Sequence, residues 1–445
     1  MTNEGVERVS PAGLAALLRD SDADPADVRA ALDAADEATL GAHGLRGVYL
    51  NQLGAYRHWW PREGIRWIAA ATVRERLWGE WEFAAYVARY RREVLSRGGD
   101  AAVRRGWVRL EGWDSERVAA LAEEAGGGLV ICSFHIGPFR FLPLDLYNLG
   151  FSVAVPLNRS AYQELFTLGW GMEDEVQRRI GLRPVDEPTS MLALARALRR
   201  GGLVLAYVDG NIGADGTTGE DVRSPVEFCG LRLRVKSGIP RLAAALGATL
   251  LPVTTERRGD RLCVRLEEPI RPAGRLKGEA QEAFAAEAIQ GLYVVLEERV
   301  REVPDQWVSA AFLHRWREPE PVTLARDAPS PEALQRHLEG GGVLRLDPDR
   351  IVDVGGDEGP ILADVRTLRA VRVPDWAAAT VRALDSERGF GADELEALDV
   401  AAAERTLAFA AGLAARGMIV AHGGVRGETH DGWPSHGAAR TQTGS

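Results

Sequence analysis

His135 is the residue of this 445-residue chain whose place in the sequence best suits acid–base chemistry. It follows LVICSF (129–134), an apolar run of the length of a buried strand, and Gly137-Pro138 then opens a helical stretch. Side chains at the carboxyl ends of strands in α/β sheets face the crevice in which ligands bind. A neutral imidazole there can take a proton from an attacking hydroxyl or amine. A histidine behind a strand can also be structural, so His135 alone does not establish a catalytic site.

Three further residues follow predicted strands. Arg159 is placed to hold a phosphate or carboxylate through two hydrogen bonds, although a surface role is equally open in so arginine-rich a chain. Lys236, one of only two lysines, precedes a predicted helix start at Gly238, where it is either a phosphate ligand or incidental. Asp209 begins a Gly-rich loop that lacks EF-hand spacing, and the three cysteines have no CxxC spacing, so we expect no metal site.

The elements that must position these residues alternate between strands and helices. Apolar runs of strand length separated by helical segments predict an α/β protein whose central sheet is covered by helices. Before this segment the chain is helical, with starts at Ser10-Pro11 and Asp24-Pro25 where a polar cap precedes proline. After a Pro-rich boundary comes a small α+β unit with two predicted strands. The expected domains are a helical region (1–102), an α/β domain (103–320), an accessory domain (330–421) and a disordered tail (422–445).

The composition excludes several classes of protein. With 54 Lys plus Arg against 64 Asp plus Glu, the net charge of −10 argues against a nucleic-acid binder. No apolar run approaches the 18 or so residues of a membrane span, and the N-terminus lacks the order of a secretory signal. We therefore expect a soluble, cytoplasmic protein. The tryptophans of the helical segment 65–94 are expected to pack in a core, with peripheral membrane contact as the alternative.

The α/β segment resembles a known family, the lysophospholipid/glycerolipid acyltransferase superfamily. Within it, the chain is most similar to the lauroyl/myristoyl acyltransferases of lipid A synthesis and the phosphatidylinositol mannoside acyltransferases. Six blocks match in order over roughly half the chain: WVRLEG, SFHIGPF, VAVPLNR, LVLAYVDGN, PVEFCGLRLRVKSGIPRLAAALGATLLPV and PDQWVSAAFLHRW. The resemblance implies a glycerolipid-acyltransferase-like mixed sheet, with His135 as general base toward an acyl thioester.

The resemblance departs from the family at one decisive position. The family carries an acid five residues after the histidine, and here that residue is Arg140, which cannot accept a proton and disfavours an imidazolium beside it. Three explanations stand open. Another acid, Asp145 or Asp209, orients His135; or His135 acts unaided on a more nucleophilic acceptor such as an amine; or the site is inactive and Arg140 binds an anion.

The resemblance therefore predicts an acyltransferase that uses acyl-CoA or an acyl-carrier protein as co-substrate and needs no other cofactor. The absence of an apolar span favours a hydroxyl or amine acceptor in specialised, natural-product biosynthesis. The alternatives are a non-catalytic binding or scaffold protein on the same fold and a peripheral-membrane lipid acyltransferase.

The C-terminal unit faintly resembles small winged-helix, peptide-binding domains found in biosynthetic clusters for modified peptides. Its predicted strand pair, VLRLDPDRIVDVGG, carries this resemblance together with the helices that follow. Its acidic composition argues against DNA, because a DNA-reading domain needs a basic face. A peptide or protein partner is therefore expected for this unit.

Overall fold

The computed structural model describes residues 9–97, 99–125, 128–157, 182–184, 190–210, 223–318, 328–348, 350–353, 360–386 and 388–423. By packing, the chain divides into two units. The first comprises Met1–His58 and Glu63–Glu318, and the second comprises Trp59–Arg62 and Pro319–Ser445. The N-terminal helices and the α/β segment thus belong to the same unit.

The N-terminal helices begin where polar caps precede proline. Ser10 caps α1 (Pro11–Arg19) by accepting from the backbone of Gly13, and Asp24 caps α2 (Pro25–Ala34) in the same way. Both predicted helix starts are confirmed. The remaining helices of this region are α3 (Glu37–Gly41), α4 (Leu45–Tyr56), α5 (Arg62–Tyr90, continued by a π-helical turn Arg91–Leu95), α6 (Ala101–Arg105) and α7 (Ser115–Glu124).

The tryptophans of α5 divide between the core and the surface. Trp78 and Trp81 are buried, and the indole of Trp81 donates to the carbonyl of Asp20 at 2.8 Å. Trp67 is 67% exposed. The expected core packing therefore holds for two of the three side chains. None of the helices in the described part of the chain combines the length and hydrophobicity that a bilayer crossing requires.

A six-stranded sheet forms the centre of the first unit, which makes it an α/β structure with a mixed sheet. Its strands lie in the order β3-β2-β4-β1-β7-β8; all neighbours are parallel except β7 and β8. β1 lies between β4 and β7, the inner strand of the antiparallel pair, and is buried over its whole length. The strands are β1 (Leu129–Ser133), β2 (Val153–Leu157), β3 (Leu182–Pro184), β4 (Leu203–Tyr207), β7 (Thr249–Arg258) and β8 (Arg261–Leu266).

Between β4 and β7 the chain forms a separate antiparallel hairpin of β5 (Arg223–Phe228) and β6 (Leu231–Lys236). Its two-residue turn, Cys229-Gly230, has positive φ at both positions, as tight hairpins require. The helices among the described residues of this region are α8 (Leu142–Asn148), α9 (Ser190–Arg199), α10 (Gly238–Leu246) and α11 (Glu279–Glu302). Two 3₁₀ segments, Pro304–Gln306 and Val308–Arg315, follow α11.

The second unit has its own core and more strands than the sequence predicted. Ile361–Asp364 and Arg369–Arg372 extend the predicted strand Ile351–Asp353 into a three-stranded meander. Val343–Leu346 pairs with Ile419–His422, so His422, which the sequence placed in the tail, belongs to a strand. Residues 424–445 of the predicted tail lie outside the described residues. The helices of this unit in the described residues are Pro331–Glu339, Ala378–Leu384, Ala392–Glu396 and Val400–Ala415.

Candidate active site

Two neighbouring parallel strands bring His135 and Asp209 to the same end of the sheet. β1 pairs with β4 so that Ser133 lies opposite Tyr207. The amide of Val208 still donates to the carbonyl of Ser133 at 2.9 Å, which carries the ladder past the last strand residues. His135 and Asp209 each lie two residues beyond this last pair. Equal distances along adjacent strands place the two side chains side by side at the carboxyl edge.

The imidazole and the carboxylate form a direct hydrogen bond. Nδ1 of His135 lies 2.8 Å from Oδ1 of Asp209, whose side chain is fully buried, whereas 29% of the His135 side chain is exposed. The carboxylate also accepts from the backbone amide of His135, at 3.0 Å to Oδ1 and 3.1 Å to Oδ2, and from the indole N–H of Trp307 at 2.9 Å. Burial raises the pKa of Asp209, but the charge and hydrogen bonds of His135, with the Trp307 indole, outweigh it and leave the pKa below its ordinary value.

This geometry assigns the proton on the imidazole. An ionised carboxylate only accepts hydrogen bonds, so Nδ1 carries the hydrogen and Nε2 of a neutral His135 has a free lone pair. The arrangement is that of the aspartate–histidine half of a hydrolase triad. It can accept a proton at Nε2 and stabilise the imidazolium that forms.

Aromatic rings and a glycine enclose the imidazole. The rings of Phe139 and Tyr207 lie 4.8 and 4.9 Å from that of His135, between centroids. The Tyr207 hydroxyl donates to the carbonyl of Phe139 at 2.8 Å, and burial raises the pKa of this phenol. A Cβ at Gly210 would lie 3.1 Å from Cε1 of His135, so only glycine leaves the ring undisturbed there. These contacts hold His135 in one orientation.

The segment around Trp307 pairs with the backbone that follows β1. Ile136 and Trp307 form an antiparallel bridge. The amide of Gly137 donates to the carbonyl of Gln306, and the amide of Val308 to the carbonyl of His135, both at 3.0 Å. The sequence did not single out Trp307 as a site residue. The one signal for it was its place in the closing block PDQWVSAAFLHRW of the resemblance.

Arg140, which stands at the position of the missing acid, makes other contacts. Its guanidinium forms an ion pair with Glu80 of α5 at 3.1 Å and lies over the ring of Phe139, 4.5 Å from the centroid. The acid beside His135 is Asp209, from the neighbouring strand. The role of partner to the histidine is thus taken by a residue from another part of the chain.

Asp145, the other acid considered for His135, is held elsewhere. Its carboxylate accepts from the backbone amides of Arg109, at 3.1 Å, and Leu110, at 2.8 Å. It is fully buried, and burial raises its pKa to about 7 against the lowering effect of these hydrogen bonds. The structure therefore brings Asp209, and not Asp145, to Nδ1 of His135. Asp145 joins α8 to the segment that precedes α7.

The described residues say little about the two proposed phosphate or carboxylate ligands, Lys236 and Arg159. Lys236 is exposed at the end of β6, opposite Arg223 in the hairpin register, and α10 begins two residues later. Arg159 lies outside the described residues, as do residues 211–222, for which the sequence predicted a loop. Within the described ranges no three His, Cys, Asp or Glu side chains gather as a metal site would require.

Comparisons with models of protein families and with curated proteins find no match for this chain. The case for a function therefore depends on the chemistry of the site and on the resemblance of the sequence blocks.

Proposed function

We propose that this protein is an acyltransferase, in which His135, supported by Asp209, activates a hydroxyl or amine acceptor toward an acyl thioester of CoA or a carrier protein. One observation carries the proposal: Nδ1 of His135 lies 2.8 Å from the buried Oδ1 of Asp209 at the carboxyl edge of the sheet. This contact supplies the acid that the sequence lacks at Arg140.

The chemistry needs one base and one charge stabiliser. Nε2 of His135 takes the proton of the acceptor while its oxygen or nitrogen attacks the thioester carbonyl and forms a tetrahedral intermediate. The resulting imidazolium is stabilised by the ionised Asp209 at Nδ1. When the C–S bond breaks, the imidazolium returns the proton to the departing thiolate. The products are an ester or amide and a free thiol, and the dyad is restored.

Two features of the site favour catalysis over a purely structural histidine. The buried partner fixes Nδ1 as the donor, which leaves Nε2 as the only proton acceptor of the ring. The side chain keeps 29% of its surface accessible, so the base is not sealed in the core.

Thiol release tests the proposal. The purified chain is incubated with acyl-CoA or acyl-carrier protein and a panel of amines, alcohols and lysolipid vesicles, and free thiol and acylated product are measured together. We expect turnover in the wild type and a loss of at least about a hundredfold in His135→Ala. His43→Ala is the matched control, since its Nε2 has no hydrogen-bond partner among the described residues. Equal turnover in wild type and His135→Ala would refute the role of His135 as the base, and no turnover in either would favour a binding protein.

The same panel separates the classes of acceptor. Specialised biosynthesis predicts transfer to a small amine or alcohol in the absence of lipid. A peripheral-membrane enzyme predicts transfer to lysolipid and co-sedimentation with vesicles, for which the exposed Trp67 on α5 is a contact to test.

A further inference from the structure

Trp307 hydrogen-bonds to the carboxylate of Asp209 from a segment that lies far along the chain from β1, β4 and the residues that directly follow them. Its side chain is fully buried, its ring packs edge-on against Phe228 at 5.1 Å between centroids, and its indole N–H donates to Oδ2 of Asp209 at 2.9 Å. An acceptor stabilises a buried indole N–H, and for Trp307 the carboxylate of Asp209 supplies it. The contact therefore constrains both partners.

The two oxygens of Asp209 have divided roles. Oδ1 accepts a hydrogen bond from Nδ1 of His135, whereas Oδ2 accepts one from the indole N–H of Trp307. The backbone amide of His135 lies within hydrogen-bond distance of both oxygens. Rotation of the carboxylate about its terminal torsion would break the indole contact and the imidazole contact together. A donor on Oδ2 thus fixes the orientation in which Oδ1 faces His135.

The same segment also holds the backbone of the base. The residues on either side of Trp307 pair with this backbone: the carbonyl of Gln306 accepts from Gly137, and the amide of Val308 donates to His135. One short stretch between two 3₁₀ segments therefore positions the main chain of His135 and the side chain of Asp209 at once.

We propose that Trp307 is a positioning residue that keeps the carboxylate of Asp209 ionised and turned toward His135. The role rests on the proposed function, since it serves a dyad that acts as a base. It goes beyond that function in assigning part of the site to the segment after α11. Loss of the indole donor destabilises the charged form of a fully buried carboxylate, so Asp209 takes up a proton at a higher pH.

The NMR resonance of the Nδ1 proton of His135 shows directly whether Asp209 is ionised. A hydrogen-bonded Nδ1–H resonates far downfield while Asp209 is ionised, and its assignment follows from its loss in His135→Ala. The lower pH limit of this resonance is the lowest pH at which it is still observed. We expect Trp307→Phe to raise this limit by about one to two pH units, because one hydrogen bond to a charged group typically contributes that much to a pKa. In the transfer assay, kcat should fall about tenfold to a hundredfold with little change in KM.

Two further variants guard against a trivial loss of structure. Trp316→Phe is the matched control, because Trp316 is also buried in this stretch but its indole N–H has no hydrogen-bond partner among the described residues. If Trp307→Phe does not fold, 3-benzothienyl-alanine at position 307 replaces only the N–H by sulfur and keeps the ring. The lower pH limit of the His135 resonance should rise in both variants at position 307 and remain at the wild-type value in Trp316→Phe.

The outcomes distinguish this inference from the proposed function. An unchanged lower limit in a folded variant at 307, or no His135-dependent resonance in the wild type at any pH, overturns the role of Trp307. A shifted limit in a protein that transfers no acyl group sustains the positioning of the carboxylate and refutes the acyltransferase function. Transfer with an unshifted limit sustains the function alone.

Discussion

Replacement of Asp209 by asparagine is the sharpest test of the dyad, because it changes one atom of a fully buried side chain. In the wild type, Oδ1 of Asp209 accepts a hydrogen bond from His135 at 2.8 Å, and Oδ2 accepts one from Trp307 at 2.9 Å. An amide offers one acceptor and one donor group. If the donor faces Trp307, two N–H groups oppose each other in the core. If it faces His135, Nδ1 must become the acceptor, and Nε2 then carries the hydrogen and is no longer a base.

The size of the effect follows from these two arrangements. The wrong tautomer, or an imidazolium without its counter-charge, costs about 10³–10⁴ in kcat when an aspartate of a hydrolase triad becomes asparagine. At about 1.36 kcal/mol per tenfold, this corresponds to about 4–5.5 kcal/mol of transition-state stabilisation. The free energy of unfolding should fall by about 1–3 kcal/mol for one unsatisfied buried donor, which leaves a typical domain folded.

Free thiol released from acyl-CoA in the presence of acceptor, measured per mole of folded protein, gives kcat for each variant. The matched control is Asp145→Asn, which also alters a buried carboxylate that accepts backbone amides but touches neither His135 nor Trp307 in the described contacts. We expect it to lose stability and to keep kcat within about threefold. The double variant His135→Ala/Asp209→Asn should be no slower than His135→Ala, because the two residues act as a unit. Wild-type kcat in Asp209→Asn, or additive losses in the double variant, would refute the reasoning.

Three other substitutions test the surroundings of the dyad. Arg140→Glu should give no gain in turnover, since the acid is already present and the new carboxylate would face Glu80; a rise in thiol release would show that position 140 acts on the base. Gly210→Ala should lower kcat about tenfold or more by pressing on Cε1 of His135 at 3.1 Å, an effect absent if steady-state rates match the wild type. Gly137→Ala should cost about 2 kcal/mol or more in chemical unfolding, because φ is +57° and a Cβ would meet a backbone oxygen at 2.6 Å; an unchanged midpoint would contradict the described turn.

Much of the local structure follows from the sequence. The apolar runs that precede His135 and Asp209 are strands, the capped prolines at Pro11 and Pro25 begin helices, and the alternation of elements gives an α/β unit. Each of these features depends on residues close together in the sequence, so it can be predicted from the sequence alone. Apolar and polar side chains alternate along Leu231–Lys236, but the hairpin that this strand forms with Arg223–Phe228 turns at Cys229, an unusual residue at positive φ that gives no local hairpin signal.

The choice of the acid illustrates where sequence reasoning stops. Asp145 lies ten positions from His135 and Asp209 lies 74 away, and distance along the chain could not decide between the two acids. The sheet order places β4 beside β1, and the register Ser133–Tyr207 then sets Asp209 level with the imidazole. Strand order and register are fixed by the burial of both faces of the sheet, which no local pattern encodes.

The sequence by itself determined that a histidine with the chemistry of a base follows a buried strand, and that Arg140 cannot be its acid. Only the tertiary structure decided that Asp209 takes that place and that Trp307, 98 residues further on, binds the other carboxylate oxygen. The physical reason is that hydrogen bonds within a few ångströms join segments that only the folded sheet brings together. A residue's chemistry is local to the sequence, whereas its partners are a property of the packing.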